Sequence, residues 1–184
     1  MTVSVNQKRE EFKLRLAGVA IGKYSFSILC DKMFFDIADI SNITNGMLHL
    51  QIDMEKTEKM LNLRFHFKGE ITVLCDRCLA PLSLEMDFIN PLIVNLVPEV
   101  EPDYDNSDDI WMIQENDYEL DVFHFVYESV VLALPNKIVH PDDENGNSTC
   151  DPEVIKLLQY YTEKKTINEI DPRWETLTKL KLDK

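Results

Sequence analysis

The run Leu61-Asn62-Leu63-Arg64-Phe65-His66-Phe67 puts an apolar side chain at every second position with a polar one between. A period of two is the mark of a β-strand with one buried face. The same alternation precedes it in Leu48, Leu50, Ile52 and Met54. It follows in Ile71, Val73 and Cys75, then in Leu82, Leu84, Met86 and Phe88. The breaks contain Glu55-Lys56-Thr57-Glu58, Lys68-Gly69 and the cysteine turn Cys75-Asp76-Arg77-Cys78. They are too short for parallel crossovers, so antiparallel neighbours are expected. The reading is an antiparallel β-meander, barrel- or sandwich-like, with the cysteine pair capping one hairpin.

Working outward from there, Phe12, Leu14 and Leu16, and then Tyr24, Phe26, Ile28 and Cys30, alternate in the same way. Cys30 lies on the apolar phase and reads as core packing. His49 and His66 lie on the opposite phase and read as surface residues. A further apolar run, Leu92 to Val97, stops at Pro98. Residues 99–120 then turn to acids, prolines and asparagine, with Trp111-Met112-Ile113 as an island able to dock as a short strand. Asp121 is placed to cap a helix through Leu134, ended by Pro135 and apolar nearly all round, so it must bury itself against the sheet, a partner or both. Asp151-Pro152-Glu153 and Asp171-Pro172-Arg173-Trp174 each carry a helix start signal. The expected class is therefore α+β: a β-rich part over residues 1–98, an acidic linker over 99–120, and a helical part over 121–184 packing back on the sheet as one cooperative domain.

The formal charge is −14, and it is unevenly placed. From Leu79 to Asn136 there is no Lys or Arg, while thirteen acids give that segment −13. Phosphate affinity comes from Lys and Arg, so this segment repels nucleic acid and suits a basic protein partner. A solvated acidic face that only aids solubility fits the same charges. The partner-binding candidates are Glu99, Glu101, Asp103, Asp105, Asp108 and Asp109, with Arg173 and Trp174 on the basic terminal helix, where any RNA contact would be confined. No window approaches the roughly 20 apolar residues of a membrane span, and Met1 to Glu11 has no secretory apolar core. A cytoplasmic location is expected, where thiols favour metals over disulfides.

No Gly-rich phosphate loop, Gly-x-Ser-x-Gly turn or His-Glu-x-x-His pair is present, so nucleotide chemistry and serine hydrolysis lack their usual parts. The Cys75-x-x-Cys78 spacing suits half a zinc knuckle, a redox dithiol, or simple packing. A thioredoxin-like dithiol would open a helix, whereas this pair sits between strands. Zinc needs four ligands, and the loop from Lys137 to Asp151 offers His140 and Cys150. Cys75, Cys78, His140 and Cys150 would make a three-cysteine, one-histidine zinc site, although the spacing from His140 to Cys150 is looser than a usual second knuckle.

Taken together, Val73-Leu74-Cys75-Asp76-Arg77-Cys78-Leu79, Leu120-Asp121 leading into Glu128-Ser129-Val130-Val131-Leu132-Ala133-Leu134-Pro135, and Asp171-Pro172-Arg173-Trp174 with Leu177 and Lys179-Leu180-Lys181 resemble the YceD family of large ribosomal RNA subunit accumulation proteins. The resemblance implies a non-catalytic role in accumulation or maturation of that RNA and in ribosome assembly, in a bacterial cytoplasm or a plastid. With the charge pattern, it makes a basic ribosomal protein or a large-subunit assembly intermediate the expected partner. A zinc-binding or dithiol redox module and a general interaction adaptor are the competing classes.

Overall fold

The main sheet follows the alternation, but it is open, and the described residues form neither a barrel nor a sandwich. The computed structural model describes residues 5–40, 42–100 and 110–164. Elements in chain order are α1 (Val5–Glu10), β1 (Lys13–Arg15), β2 (Gly22–Cys30), α2 (Lys32–Ala38), β3 (Ile43–Lys56), β4 (Met60–Leu74), β5 (Pro81–Val97), β6 (Ile110–Gln114), β7 (Glu119–Asp121), α3 (Phe123–Ala133) and α4 (Pro152–Lys164). The main sheet has the order β2-β3-β4-β5-β6, antiparallel except for the parallel β5–β6 pair. Strands β1 and β7 form a separate antiparallel pair. The chain divides into two compact units, Met1–Ile138 and Val139–Lys184.

In the first unit, helices cover the apolar face of the sheet, and this is why the sheet has no need to close on itself. From α3, Phe125 meets Phe65 of β4 at 4.7 Å and Trp111 of β6 at 5.8 Å between ring centroids. Phe12, Phe34 of α2 and Phe123 form a second aromatic cluster. The apolar phase of β3 and β4, including Leu48, Leu50, Ile52, Phe65 and Phe67, is fully buried. Asn90 of β5 lies on the inward phase, and its side-chain amide donates to Ser129 Oγ of α3 at 2.8 Å. The Ser129 hydroxyl in turn donates to the Phe125 carbonyl, so the buried hydroxyl and the half-buried amide are both satisfied.

Three local readings change. Lys68-Gly69 is no break: β4 runs straight through it, and Gly69 fills the inward position between Phe67 and Ile71. A Cβ there would lie 2.1 Å from the Met47 carbonyl oxygen, so only glycine lets β3 and β4 approach. Asp121 does not occupy the cap position of α3, which is Val122; as the last residue of β7 it accepts from the Phe123 N–H at 2.9 Å instead. Helix α3 is buried on one side only, through Phe123, Phe125, Val126, Ser129 and Val130, while Leu132 is 82% exposed. The Trp111-Met112-Ile113 island is strand β6, paired in parallel with Ile93–Val97 of β5.

Two helices had no counterpart in the sequence reading. Asp31 caps α2, accepting from the Phe34 N–H. Helix α1 is tied down by Lys8, whose buried ammonium donates to the Leu29 carbonyl at 2.8 Å and pairs with Glu11 and Asp31. In the second unit, α4 opens as its sequence indicates, with the Asp151 carboxylate accepting from the Glu153 N–H. No helix among the described residues is long and apolar enough to cross a membrane. The third start signal, Asp171-Pro172-Arg173-Trp174, lies outside the described residues.

Candidate metal centre

The first half of the centre is the turn between β4 and β5. Leu74 pairs with Pro81, the last rung of that ladder, and the intervening residues fold back on themselves. The Cys75 N–H donates to the Ala80 carbonyl at 3.0 Å, and the Leu79 N–H donates to the Cys75 carbonyl at 2.8 Å. The Arg77 N–H points at Cys75 Sγ, 3.4 Å away. The turn needs a left-handed residue, and Leu79 supplies it at φ 59° although it is not glycine. Such backbone strain persists where surrounding contacts over-determine it, and it gathers at functional sites. Cys75 is buried and Cys78 half-buried.

The turn also holds the end of the first unit. The Asp76 N–H donates to the Ile138 carbonyl at 2.7 Å, and the Asp76 carboxylate accepts from the Ile138 N–H at 2.6 Å. Ile138 itself is buried in the core.

The other two candidate ligands lie on a small hairpin in the following unit. Asp142 and Ser148 form an antiparallel bridge. Between them, the Asp143 carboxylate accepts from the N–H groups of Asn145 and Asn147, and Gly146 takes φ 81°. These bonds hold the Asp143 carboxyl below the usual carboxylate range, the Asn147 backbone N–H contributing most. Thr149 Oγ1 donates to the Pro141 carbonyl at 2.6 Å, closing the hairpin's base. Two residues far apart for a knuckle are thereby made neighbours: His140 Nδ1 lies 3.8 Å from Cys150 Sγ. The sequence signal was Asn145-Gly146, a strong turn dipeptide, which removes the objection to the wide spacing.

Cys75 and Cys78 in the first unit, and His140 and Cys150 in the second, can each offer one ligand atom. Three sulfurs and one imidazole are a usual structural zinc set, and Zn–S bonds of about 2.3 Å place tetrahedral ligands roughly 3.8 Å apart. The donor types therefore fit zinc, as does the 3.8 Å between His140 Nδ1 and Cys150 Sγ. Cys30 is fully enclosed, and burial pushes its thiol up to about 12, as suits a packing residue. His66 is half-buried and hydrogen-bonded to Asp87 at 2.8 Å, which holds the Asp87 carboxyl below its usual range; His49 is exposed. Of the partner candidates, Glu99 is exposed, whereas Glu101, Asp103, Asp105, Asp108, Asp109, Arg173 and Trp174 lie outside the described residues.

Residues 63–181 match the family described as Large ribosomal RNA subunit accumulation protein YceD. The match begins in β4 and takes in the cysteine turn, α3, the hairpin and α4. No curated protein and no solved structure matches the chain.

Proposed function

Because the chain belongs to the large ribosomal RNA subunit accumulation family YceD, we propose that it serves accumulation and maturation of that RNA without catalysis, by capturing a basic ribosomal protein. The single observation that carries this is the family match over residues 63–181. Charge supports the partner's chemistry. The segment from Leu79 to Asn136 has no Lys or Arg, and Glu99, Glu115 and Asp117 are exposed. RNA laid across such a surface is repelled, whereas a basic tail is steered toward it. On this reading Cys75, Cys78, His140 and Cys150 hold a structural zinc ion, which cross-links the cysteine turn to the hairpin and takes no part in a reaction.

Deleting the gene and measuring the ratio of mature large-subunit to small-subunit ribosomal RNA tests the reading, with add-back of the parent or of a variant carrying Glu99, Glu101, Asp103, Asp105, Asp108 and Asp109 as Gln or Asn. The ratio is expected to fall on deletion, to recover with the parent and to stay low with the neutralised variant. An unchanged ratio on deletion removes the ribosomal role. Full recovery with the neutralised variant removes the acidic capture surface and leaves the role intact.

A further inference from the structure

We propose that Asp76, the residue that follows the first ligand, is the positioning residue that delivers the second half of the metal centre. The inference rests on the zinc reading above. Asp76 is exposed, yet it satisfies both backbone groups of one residue sixty-two positions away: its N–H donates to the Ile138 carbonyl at 2.7 Å, and its carboxylate accepts the Ile138 N–H at 2.6 Å. This is a rung of a ladder built half from a side chain, and a bond to an ionised acceptor is about twice as strong as a neutral one. The buried Ile138 side chain fixes the same point from the core side.

Chain connectivity does the rest. His140 follows Ile138 by two residues, which span at most about 7 Å when extended. Helix α3 ends at Ala133, and Leu134, Pro135, Asn136 and Lys137 follow before the clamp. Without the clamp, only the buried Ile138 side chain would hold that segment, and the centre would have to order more of it on binding. With the clamp the ordering is done beforehand, so binding loses less entropy. Because the holding bonds come from inside the Cys75-x-x-Cys78 turn, the turn that presents two ligands also fixes the approach of the third.

A rival account is that the Asp76 carboxylate acts through its charge on the nearby cation. The two separate by substitution. Asp76→Asn keeps an oxygen that accepts from the Ile138 N–H but loses the charge, and Asp76→Ala loses both. Zinc affinity of the full chain is measured by competition with a chromogenic chelator, alongside amide hydrogen exchange at Ile138. For Asp76→Ala, affinity is expected to drop about 10- to 100-fold, as for other residues that hold a ligand in place, with faster exchange at Ile138. Asp76→Asn is expected to retain most of the affinity and of the protection. Affinity at the parent level in Asp76→Ala overturns the proposal, as does an Asp76→Asn variant as weak as Asp76→Ala while Ile138 stays protected. A parent chain that binds no zinc overturns the metal reading, and this proposal with it. A parent that binds zinc beside an unaffected alanine variant overturns this proposal alone.

Discussion

In the sheet, Leu48, Leu50, Ile52, Leu61, Phe65 and Phe67 are wholly enclosed, whereas from Val139 to Thr162 only Cys150 is buried among the described side chains. The first region is held by apolar burial, worth roughly 25 cal/mol per Å2 removed from water. The second has the turn bonds around Asp143 and the Thr149–Pro141 bond, all of them exposed to water, where each gains little over its hydration. Regions with so little core are usually held by a staple such as a metal. On the zinc reading, an ion bound by His140 and Cys150 would give the hairpin the support its own side chains do not.

The largest effect is expected where the sheet is tightest. Gly69 has φ +154°, and an added Cβ would meet backbone atoms of Met47 and Leu48 that cannot retreat without opening the β3–β4 ladder. Gly69→Ala should cost about 4 kcal/mol or more, a large part of a typical folding stability. Gly146→Ala in the hairpin meets nothing within 4 Å and faces only a φ of +81°, so it should cost about 1 kcal/mol. Chemical denaturation followed by far-UV signal measures both. Equal midpoints for the two variants would break the contrast.

Metal removal comes next. In small zinc peptides the ion supplies about 10–16 kcal/mol and with it the whole fold. Here the sheet carries its own core, so chelation should open the hairpin alone. Amide protection over residues 140–150 is expected to collapse with a strong chelator while that of β3 and β4 persists. Protection unchanged by chelator, with no zinc by elemental analysis, would leave the thiols as packing groups. Loss of sheet protection in step with the hairpin would show that the two regions share one support.

How far the sequence could be read follows the same division. Strands such as Leu61–Phe67 declare themselves because burial on one face forces a period of two, and Cys30 on the inward phase was legible for that reason. Lys68-Gly69 misled because a polar residue beside glycine mimics a turn, although the unbroken phase from Phe67 to Ile71 carried the right answer. The candidate ligands could be named from residue type alone, but their approach depends on two things that spacing hides. One is the Asn145-Gly146 turn, a two-residue signal that brings His140 and Cys150 together. The other is the Asp76–Ile138 clamp, a contact distant in sequence that leaves no local pattern. Helix α2 was missed because its Asp31 cap precedes only two turns, too few for a helical period to show.

The smallest effect expected is at Leu79, where the two regions meet their opposite in miniature: an exposed leucine, 71% accessible, in a left-handed backbone that the core does not demand. An L-residue in that conformation costs roughly 1–2 kcal/mol. Glycine would remove the strain but lose more chain entropy on folding, by about 0.5–1 kcal/mol. Leu79→Gly should therefore stabilise the protein by about 0.5 kcal/mol, and Leu79→Val, whose branched Cβ crowds this conformation further, should destabilise it by about 1 kcal/mol. Thermal melts of zinc-loaded and chelated samples measure both. If the glycine variant instead melts lower in both samples, the leucine side chain contributes contacts that outweigh its backbone strain. If it melts lower only when loaded, the strained turn is part of what presents Cys75 and Cys78 to the metal.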